Sequence, residues 1–441
     1  MTSRRLEVTA NEQLVGHLRE RDDLWEFEYA ADWSTSLQGF DLSPALPRTE
    51  LLHADGASNR PVQWYFDNLL PEEALRTVLA KEANVPAEDA FGLLAYFGAE
   101  SAGSLVLRDL EKPRSTERGL KPLPLAELSQ RITNLPKASL TKDAPKRMSL
   151  AGAQHKLLVV LDGDKLFEPL PGTPSTHILK PDHLGDNYPA SVMNEYFMMR
   201  LADAVGLKVP AVRRIYVPQP VYIVERFDRT RASTANEVQR RHIIDTCQLL
   251  NKARTFKYTA ANLDTLAQAI ELCRSKAAAR VQIYNWLVFN ILAGNADNHL
   301  KNLSFLVDSA GINLAPAYDL LCTAVYDTKA LANERAHWPA TPFVLSLGEA
   351  TTFADLTRSH ALSAGRALGL AVATAERQLD RLRRAVPAEA AELVDKIHAE
   401  LEHDIAASPD PAATRNHVGG EMRMLDAARH IVVNEMARRL A

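Results

Sequence analysis

The segment Asn290–Asn302, with the sequence NILAGNADNHLKN, decides how the rest of the chain is interpreted. An apolar run, Val281–Ala293, leads into it; this run is too long for a typical strand and too short to cross a bilayer, so it predicts a buried helix. Gly294 suits the end of that helix. The polar side chains that then crowd into one short loop are Asp297, Asn298, His299, Lys301 and Asn302.

Two strand-like stretches follow the loop. Leu303–Val307 and Ile312–Leu314 are apolar and rich in β-branched and aromatic residues, and the turn at residues 308–311 predicts that they pair. The pair leads directly into Tyr318 and Asp319. A second carboxylate therefore follows the polar loop after a short β-segment.

The order Asp297, Asn302, Asp319 matches the needs of phosphoryl transfer. One carboxylate must accept the proton of the attacking hydroxyl, while an amide oxygen and a second carboxylate hold magnesium on the nucleotide phosphates. Protein kinases place the base and the metal-binding Asn five positions apart in one loop. His299 departs from that loop and is closer to the Asp-x-His-x-x-Asn loop of phosphoinositide kinases. Taken alone, a solvated loop with a helix N-cap explains these residues equally well, because short Asp/Asn motifs recur by chance.

Composition narrows the class of protein. With 441 residues the chain has room for two or three domains, and 51 basic against 55 acidic residues give a net charge of −4. That balance excludes the whole chain as an electrostatic nucleic-acid binder. The three cysteines match no zinc or redox pattern, which favours a reducing cytosol. We expect a cytoplasmic protein without a membrane partner, since residues 1–5 lead straight into strand-like sequence and no run reaches membrane-span length.

Two weaker signals precede the central segment. A loop of small residues, 148–156, leads into a predicted strand, Leu157–Leu161. Gly152 lacks the Cβ that would keep phosphate oxygens away from the backbone N–H groups of the loop. A simple turn before a strand explains this loop as well. Lys180 ends another predicted strand, where a kinase needs a lysine on the phosphates. Glu195, on a predicted helix Asn194–Val205, either pairs with Lys180 or is simply an exposed residue in a first helical turn.

Helical spacing dominates the C-terminal part of the chain. Leu362–Val386, Ala388–Ile405 and Glu421–Leu440 all carry apolar residues at helical intervals. Residues 408–420 contain proline and glycine and therefore predict a loop.

Six motifs in one order resemble the HipA family, the kinase toxins of bacterial toxin–antitoxin pairs. They are SLAGAQHK, HILKP, NEY, ERFDR, NADNHLKN and AYDLL. The first hundred residues, with FDNLLPE and FGLLAYFGAESAGSL, are similar to the N-terminal domain typical of HipA. The resemblance covers nearly the whole chain, and the ordered set is far more specific than any single motif.

The resemblance implies an α+β, two-lobed fold like that of protein and phosphoinositide kinases, with a small α+β N-terminal domain and an all-helical C-terminal lobe. It places a HipA-type N-terminal domain at residues 1–110 and a linker with a short helix at 111–140. It then assigns the kinase N-lobe portion, with the phosphate loop and the nucleotide-binding strands, to 141–235. The helical C-lobe with the catalytic loop follows at 236–441.

The same resemblance implies the roles of individual residues. Asp297 would be the catalytic base, Asn302 and Asp319 would hold Mg²⁺, and Ser149 would be a regulatory autophosphorylation site. The phosphate loop would comprise Ala151, Gly152, Ala153, Gln154, His155 and Lys156. The other ATP contacts would be Lys180 on the phosphates, Glu225, Arg226 and Phe227 at the adenine, and His299, Leu300, Lys301, Asn302, Tyr318 and Asp319. His155 stands where the family commonly has an acidic or polar residue.

For function, the resemblance implies ATP- and Mg²⁺-dependent phosphorylation of an aminoacyl-tRNA synthetase, such as glutamyl-tRNA synthetase, with arrest of translation, growth arrest or persistence. It also implies a HipB-like helix-turn-helix antitoxin that provides most of the contact with operator DNA. Two alternatives are a catalytically idle partner in an operator-binding complex and a small-molecule or lipid kinase. The complete set of Lys180, Asp297, Asn302 and Asp319 favours an active kinase.

Overall fold

The computed structural model describes residues 3–111, 117–146, 150, 152, 154–231 and 237–441. The chain divides into two units, and it passes between them several times. The first unit comprises Met1–Leu179, Arg226–Lys257 and Ser304–Ala315, and the second comprises Lys180–Glu225, Tyr258–Leu303 and Pro316–Ala441. The predicted domain boundaries stay predictions.

An antiparallel sheet of five strands opens the first unit. Its strands, in spatial order, are Leu52–Ala54, Leu24–Tyr29, Gln13–Arg21, Arg4–Ala10 and Leu105–Asp109. Alternating burial along Leu24–Tyr29 places Trp25 and Phe27 in the core, where their rings lie 5.2 Å from Phe91 and 5.6 Å from Phe66. The helices of this part are Ala31–Thr35, Pro61–Asp67, Glu73–Ala83 and Ala90–Phe97.

The rest of the first unit contains three further groups of strands. The strands of the first group lie in the spatial order Leu120–Pro122, Lys165–Pro169, Leu157–Asp162 and His177–Pro181. The helix Leu125–Thr133 follows the strand Leu120–Pro122 in the chain. A second pairs Arg229–Arg231 with Val238–Arg240. The third group joins the strands His242–Asp245, Ser304–Asp308 and Gly311–Leu314. Two short helical turns, Thr246–Leu249 and Arg254–Phe256, follow the first of these strands in the chain. The predicted pairing after the polar loop is thereby confirmed.

A buried charge cluster holds distant parts of the first unit together. The Glu100 carboxylate is completely buried and accepts hydrogen bonds from Lys146 at 2.5 Å, Arg229 at 2.8 Å and Arg226 at 3.3 Å, and also from Arg240. Burial alone would raise the pKa of Glu100, but the surrounding cations hold it well below its usual value. Glu100 therefore connects the segment that contains Lys146 with the segment that begins at Arg226.

Helices make up most of the second unit. They are Ser191–Ala204, Leu263–Glu271, Lys276–Ala293, Lys329–Ala332, Arg358–Ala367, Val372–Ala407, Pro411–Ala427 and Asn434–Arg439, with a π-helical turn at Ala428–Val433. Short 3₁₀ turns lie at Leu300–Asn302, Thr323–Asp327 and Asn333–Arg335. Two strands, Val212–Tyr216 and Pro220–Glu225, form an antiparallel hairpin. In the part of the chain that the structure describes, no helix has both the length and the apolar character needed to cross a membrane.

Three expectations about the C-terminal part need correction. It is not all-helical, since Pro342–Leu347 pairs with Ala350–Thr352 and other strands also lie beyond residue 236. Pro387 lies inside the single helix Val372–Ala407 and does not divide it. The predicted loop 408–420 is mostly helix, because Pro411 occupies its first turn and the Asp410 carboxylate accepts from Ala413 N–H at 3.0 Å.

Candidate active site

The loop that carries Asp297 begins where a buried helix ends. Gly294 closes Lys276–Ala293 with a left-handed φ of +66°, and a Cβ there would lie 2.3 Å from Val432 Cγ1. The position therefore requires glycine for both its conformation and its space. The predicted helix and its terminating glycine are confirmed.

Hydrogen bonds inside the loop fix its shape. The Asn295 side chain donates to Asn290 Oδ1 at 2.7 Å and accepts from Asp297 N–H at 3.1 Å. At the other end, Asn302 Nδ2 donates to the Asp297 main-chain oxygen at 2.9 Å. Both main-chain groups of Asp297, the N–H and the C=O, are therefore hydrogen-bonded to asparagine side chains. Asn302 uses its Nδ2 in this contact, and its amide oxygen is on the other side of the amide group.

Lys180 lies between two carboxylates. Its Nζ is 2.8 and 3.0 Å from the two oxygens of Glu195 and 2.7 Å from Asp319 Oδ1. Burial alone would lower the pKa of Lys180, but Asp319 and Glu195 outweigh it and raise the pKa above its usual value. The pairing of Lys180 with Glu195 is confirmed, and the alternative of an exposed Glu195 is wrong because only 4% of that residue is accessible.

Asp319 has an unusual backbone conformation. Its φ of +56° is in the left-handed region, which aspartate tolerates better than most side chains, and its side chain is 36% exposed. The neighbouring Tyr318 hydroxyl donates to the Lys301 main-chain oxygen at 2.6 Å. This bond connects the residue before Asp319 with the residue before Asn302.

The other predicted residues of the loop contribute to its packing. Leu300 is 1% exposed, and Lys301 and Asn302 are also buried. The His299 ring meets the edge of Tyr258 at a centroid distance of 5.1 Å. The second unit thus brings together Lys180, Glu195 and Asp319, and orders the loop from Asp297 to Asn302.

The predicted phosphate loop belongs to the first unit. Gly152 has a φ of +106°, which side chains rarely adopt, so the predicted need for glycine at this position has a conformational basis. His155 and Lys156 border a cavity whose other walls include several leucines. The described part of the loop also contains Gln154, which is half-buried. The predicted residues Ser149, Ala151 and Ala153 lie outside the described residues.

The three residues predicted at the adenine have different surroundings. Glu225, in the second unit, is exposed, and its N–H donates to Ala211 O at 2.9 Å. Phe227, in the first unit, packs against the small core of Ile243, Leu306 and Ala315.

Arg226, also in the first unit, is fully engaged in protein contacts. Its guanidinium bonds Asp228 at 2.7 and 3.0 Å and Ser101 O at 2.8 Å, and its N–H donates to Thr176 O at 2.9 Å. These bonds occupy the Arg226 side chain, and the adenine contact predicted for this residue stays a prediction.

Sequence reasoning missed a capping residue next to Lys180. The helix Ser191–Ala204 has no side-chain cap at Ala190; instead, Asp182 Oδ1 accepts from Val192 N–H at 2.7 Å and from the Ser191 hydroxyl at 3.2 Å. The helix that carries Glu195 is therefore attached to the segment after Lys180 by this cap as well as by the ion pair. An Asp eight residues before an uncapped helix gives no local signal.

Two family models match the chain, the HipA N-terminal domain over residues 6–108 and the HipA-like C-terminal domain over residues 148–392. The putative kinase Y4mE of Sinorhizobium fredii is 35% identical over 338 residues, which cover 74% of this chain and 79% of that protein. The serine/threonine-protein kinase toxin HipA of Shewanella oneidensis is 32% identical over 344 residues, with coverage of 73% and 76%.

A solved structure is similar over almost the full length. It is the complex of Shewanella oneidensis MR-1 HipA with HipB and its operator DNA, with a TM-score of 0.74 and 25% identity over 98% of this chain and 99% of that one. This similarity confirms the predicted α+β kinase-like fold class. The chain belongs to the HipA family of serine/threonine-protein kinases.

Proposed function

We propose that this protein is the ATP- and Mg²⁺-dependent kinase toxin of a toxin–antitoxin pair. The observation that carries the proposal is the buried Lys180, kept charged between Glu195 and Asp319. A lysine on the nucleotide phosphates that is paired with a helical glutamate is a recurring part of kinase sites. In this proposal Asp297 accepts the proton of the substrate hydroxyl, and Lys180 contacts the phosphates.

The residues present suit magnesium, which prefers oxygen ligands. Asn302 donates through Nδ2 to the Asp297 main-chain oxygen, so its amide oxygen is the atom available to accept a cation. Asp319 adds a partly exposed carboxylate. When bound, the metal neutralises charge on the transferring phosphate. We therefore assign Asn302 and Asp319 as the metal-binding residues.

Further residues are proposed to contact the nucleotide. We assign the phosphates to the loop at residues 151–156, because Gly152 has a backbone that favours close approach to oxygens. Glu225, Arg226 and Phe227 remain the proposed adenine residues, and the buried bonds of the Arg226 side chain hold its segment in place. Ser149 is the proposed regulatory autophosphorylation site.

The proposed protein substrate is an aminoacyl-tRNA synthetase, with glutamyl-tRNA synthetase as the first one to test. We expect purified protein with ATP and Mg²⁺ to add one phosphate to a serine or threonine of that enzyme and to reduce its aminoacylation activity. Intact mass and phosphopeptide mapping measure the modification. Lack of phosphate on every synthetase tested, with active kinase present, would reject this substrate class.

The proposed partner is a HipB-like antitoxin, which supplies most of the contact with operator DNA. The Shewanella relative was solved with HipB and operator DNA. A net charge of −4 makes strong DNA binding by this chain alone unexpected. In a gel shift at physiological salt we expect retardation only when the antitoxin is added. Tight, sequence-specific binding by the isolated chain would contradict this division of roles.

A further inference from the structure

The segment Cys322–Ala324 follows Asp319 by three to five residues and is bonded to two other elements of the second unit. Cys322 and Ala324 are completely buried, and Thr323 begins a 3₁₀ turn. These bonds concern residues that have no place in the proposed chemistry.

Asn194 forms the first connection. This residue is completely buried and directly precedes Glu195. Its Nδ2 donates to the Cys322 main-chain oxygen at 3.0 Å, and its Oδ1 accepts from Cys322 N–H at 2.7 Å. Nδ2 also donates to the Tyr326 hydroxyl at 3.1 Å. A side-chain amide carries both a donor and an acceptor, so Asn194 bonds the N–H and the C=O of the same residue and fixes the position of Cys322 relative to the helix that carries Glu195.

Thr323 forms the second connection. Its Oγ1 accepts from Ala296 N–H at 2.6 Å, and the next residue, Ala324, donates its N–H to Gly294 O at 2.9 Å. Ala296 directly precedes Asp297. The same short segment is therefore attached to the loop of the proposed base.

We propose that Cys322–Ala324 is the junction that sets the relative positions of Glu195, Asp297 and Asp319, with Asn194 and Thr323 as its positioning residues. The inference rests on the proposed function, because it assigns a purpose to that arrangement. Glu195 is next to Asn194, Asp297 is next to Ala296, and Asp319 is three residues before Cys322. Buried hydrogen bonds of this kind are costly to leave unsatisfied, so they restrict the elements to one arrangement.

Two substitutions separate the connections. Asn194→Asp has almost the same shape and can still accept from Cys322 N–H, but it has no N–H to donate to the Cys322 oxygen. We expect the Mg²⁺ concentration for half-maximal ATP turnover to rise about tenfold, because the Asp319 segment loses its support. Thr323→Val removes the acceptor of Ala296 N–H, and we expect kcat to fall about tenfold with little change in KM for ATP. Thr323→Ser keeps the hydroxyl and should restore kcat.

Asn68→Asp is the matched control. Asn68 is 1% exposed and donates to the Lys252 main-chain oxygen, but both residues belong to the first unit. We expect this variant to melt at a lower temperature without a change in its Mg²⁺ requirement. Melting temperature, calorimetric ATP binding with and without Mg²⁺, and steady-state kinetics are measured for all variants.

The outcomes distinguish the junction from the proposed function. If the wild type shows no Mg²⁺-dependent ATP binding, the proposed function fails. If it does, but Asn194→Asp keeps the wild-type Mg²⁺ requirement and Thr323→Val keeps the wild-type kcat, the junction is refuted. The junction is also refuted if Asn68→Asp, at a similarly lowered melting temperature, shows the same change in Mg²⁺ requirement or kcat as the junction variants. The change then comes from lost stability and not from the junction.

Discussion

Protein carrying Asp297→Asn should bind ATP like the wild type but transfer its phosphate on the order of 10³-fold more slowly. Asparagine has nearly the same shape, yet it accepts no proton from the attacking hydroxyl and orients it poorly. The loop should keep its conformation, because the bonds that hold residue 297 to Asn295 and Asn302 use its main chain. The measurements are ATP affinity by calorimetry and single-turnover phosphorylation of a protein substrate.

Asp308→Asn is the control for Asp297→Asn. It makes the same chemical change at the exposed last residue of the strand Ser304–Asp308 in the first unit, where the carboxylate accepts only from Ala310 N–H among the described hydrogen bonds. We expect this variant to keep wild-type activity. Near-wild-type phosphorylation by purified Asp297→Asn would remove Asp297 as the base.

Asp319→Ala should abolish the dependence of ATP affinity on Mg²⁺, with a loss of at least about a hundredfold in turnover. The substitution removes the carboxylate proposed to hold the metal. Lys180 keeps Glu195 as a partner at 2.8 Å, so the buried lysine is not left without a counter-charge. Calorimetric titration of ATP over a range of Mg²⁺ concentrations measures the effect.

Asp319→Ala removes both the proposed metal ligand and one partner of Lys180. Glu195→Gln changes only the other partner of Lys180, so comparing the two variants separates these effects. This variant keeps Asp319 and should weaken ATP binding at every Mg²⁺ concentration, while the response to the metal remains. If Asp319→Ala instead responds to Mg²⁺ as strongly as the wild type, Asp319 does not hold the metal.

Local sequence signals predicted several elements of this fold. The apolar run before Gly294 and the two strand-like stretches after the polar loop each specify one type of structure, and both predictions are confirmed. Proline was more misleading. Pro387 removes one helical hydrogen bond, but a buried line that includes Val386, Ala390 and Leu393 keeps the helix continuous. Tertiary packing of this kind is not visible in a local pattern.

For the candidate site, spacing indicated the residues that we propose for the chemistry but not the residues that support them. Asp297, Asn302 and Asp319 are recognisable because their separation is short and typical of kinases. The contacts of Asn194 with Cys322 span 128 positions in the chain, and no local pattern links them. The bond of the Arg226 side chain to the Ser101 main-chain oxygen spans 125 positions, and no local pattern links these two residues either.

The most direct test of the central claim is transfer of labelled phosphate from ATP to protein. Wild-type protein and Asp297→Asn are each incubated with γ-labelled ATP, Mg²⁺ and a cell lysate, and the labelled proteins are separated and hydrolysed for phosphoamino-acid analysis. We predict phosphoserine or phosphothreonine in a discrete protein with the wild type and none above background with Asp297→Asn. Equal labelling by both proteins, or no labelling by the wild type, would contradict the assignment of this site as a protein kinase centre.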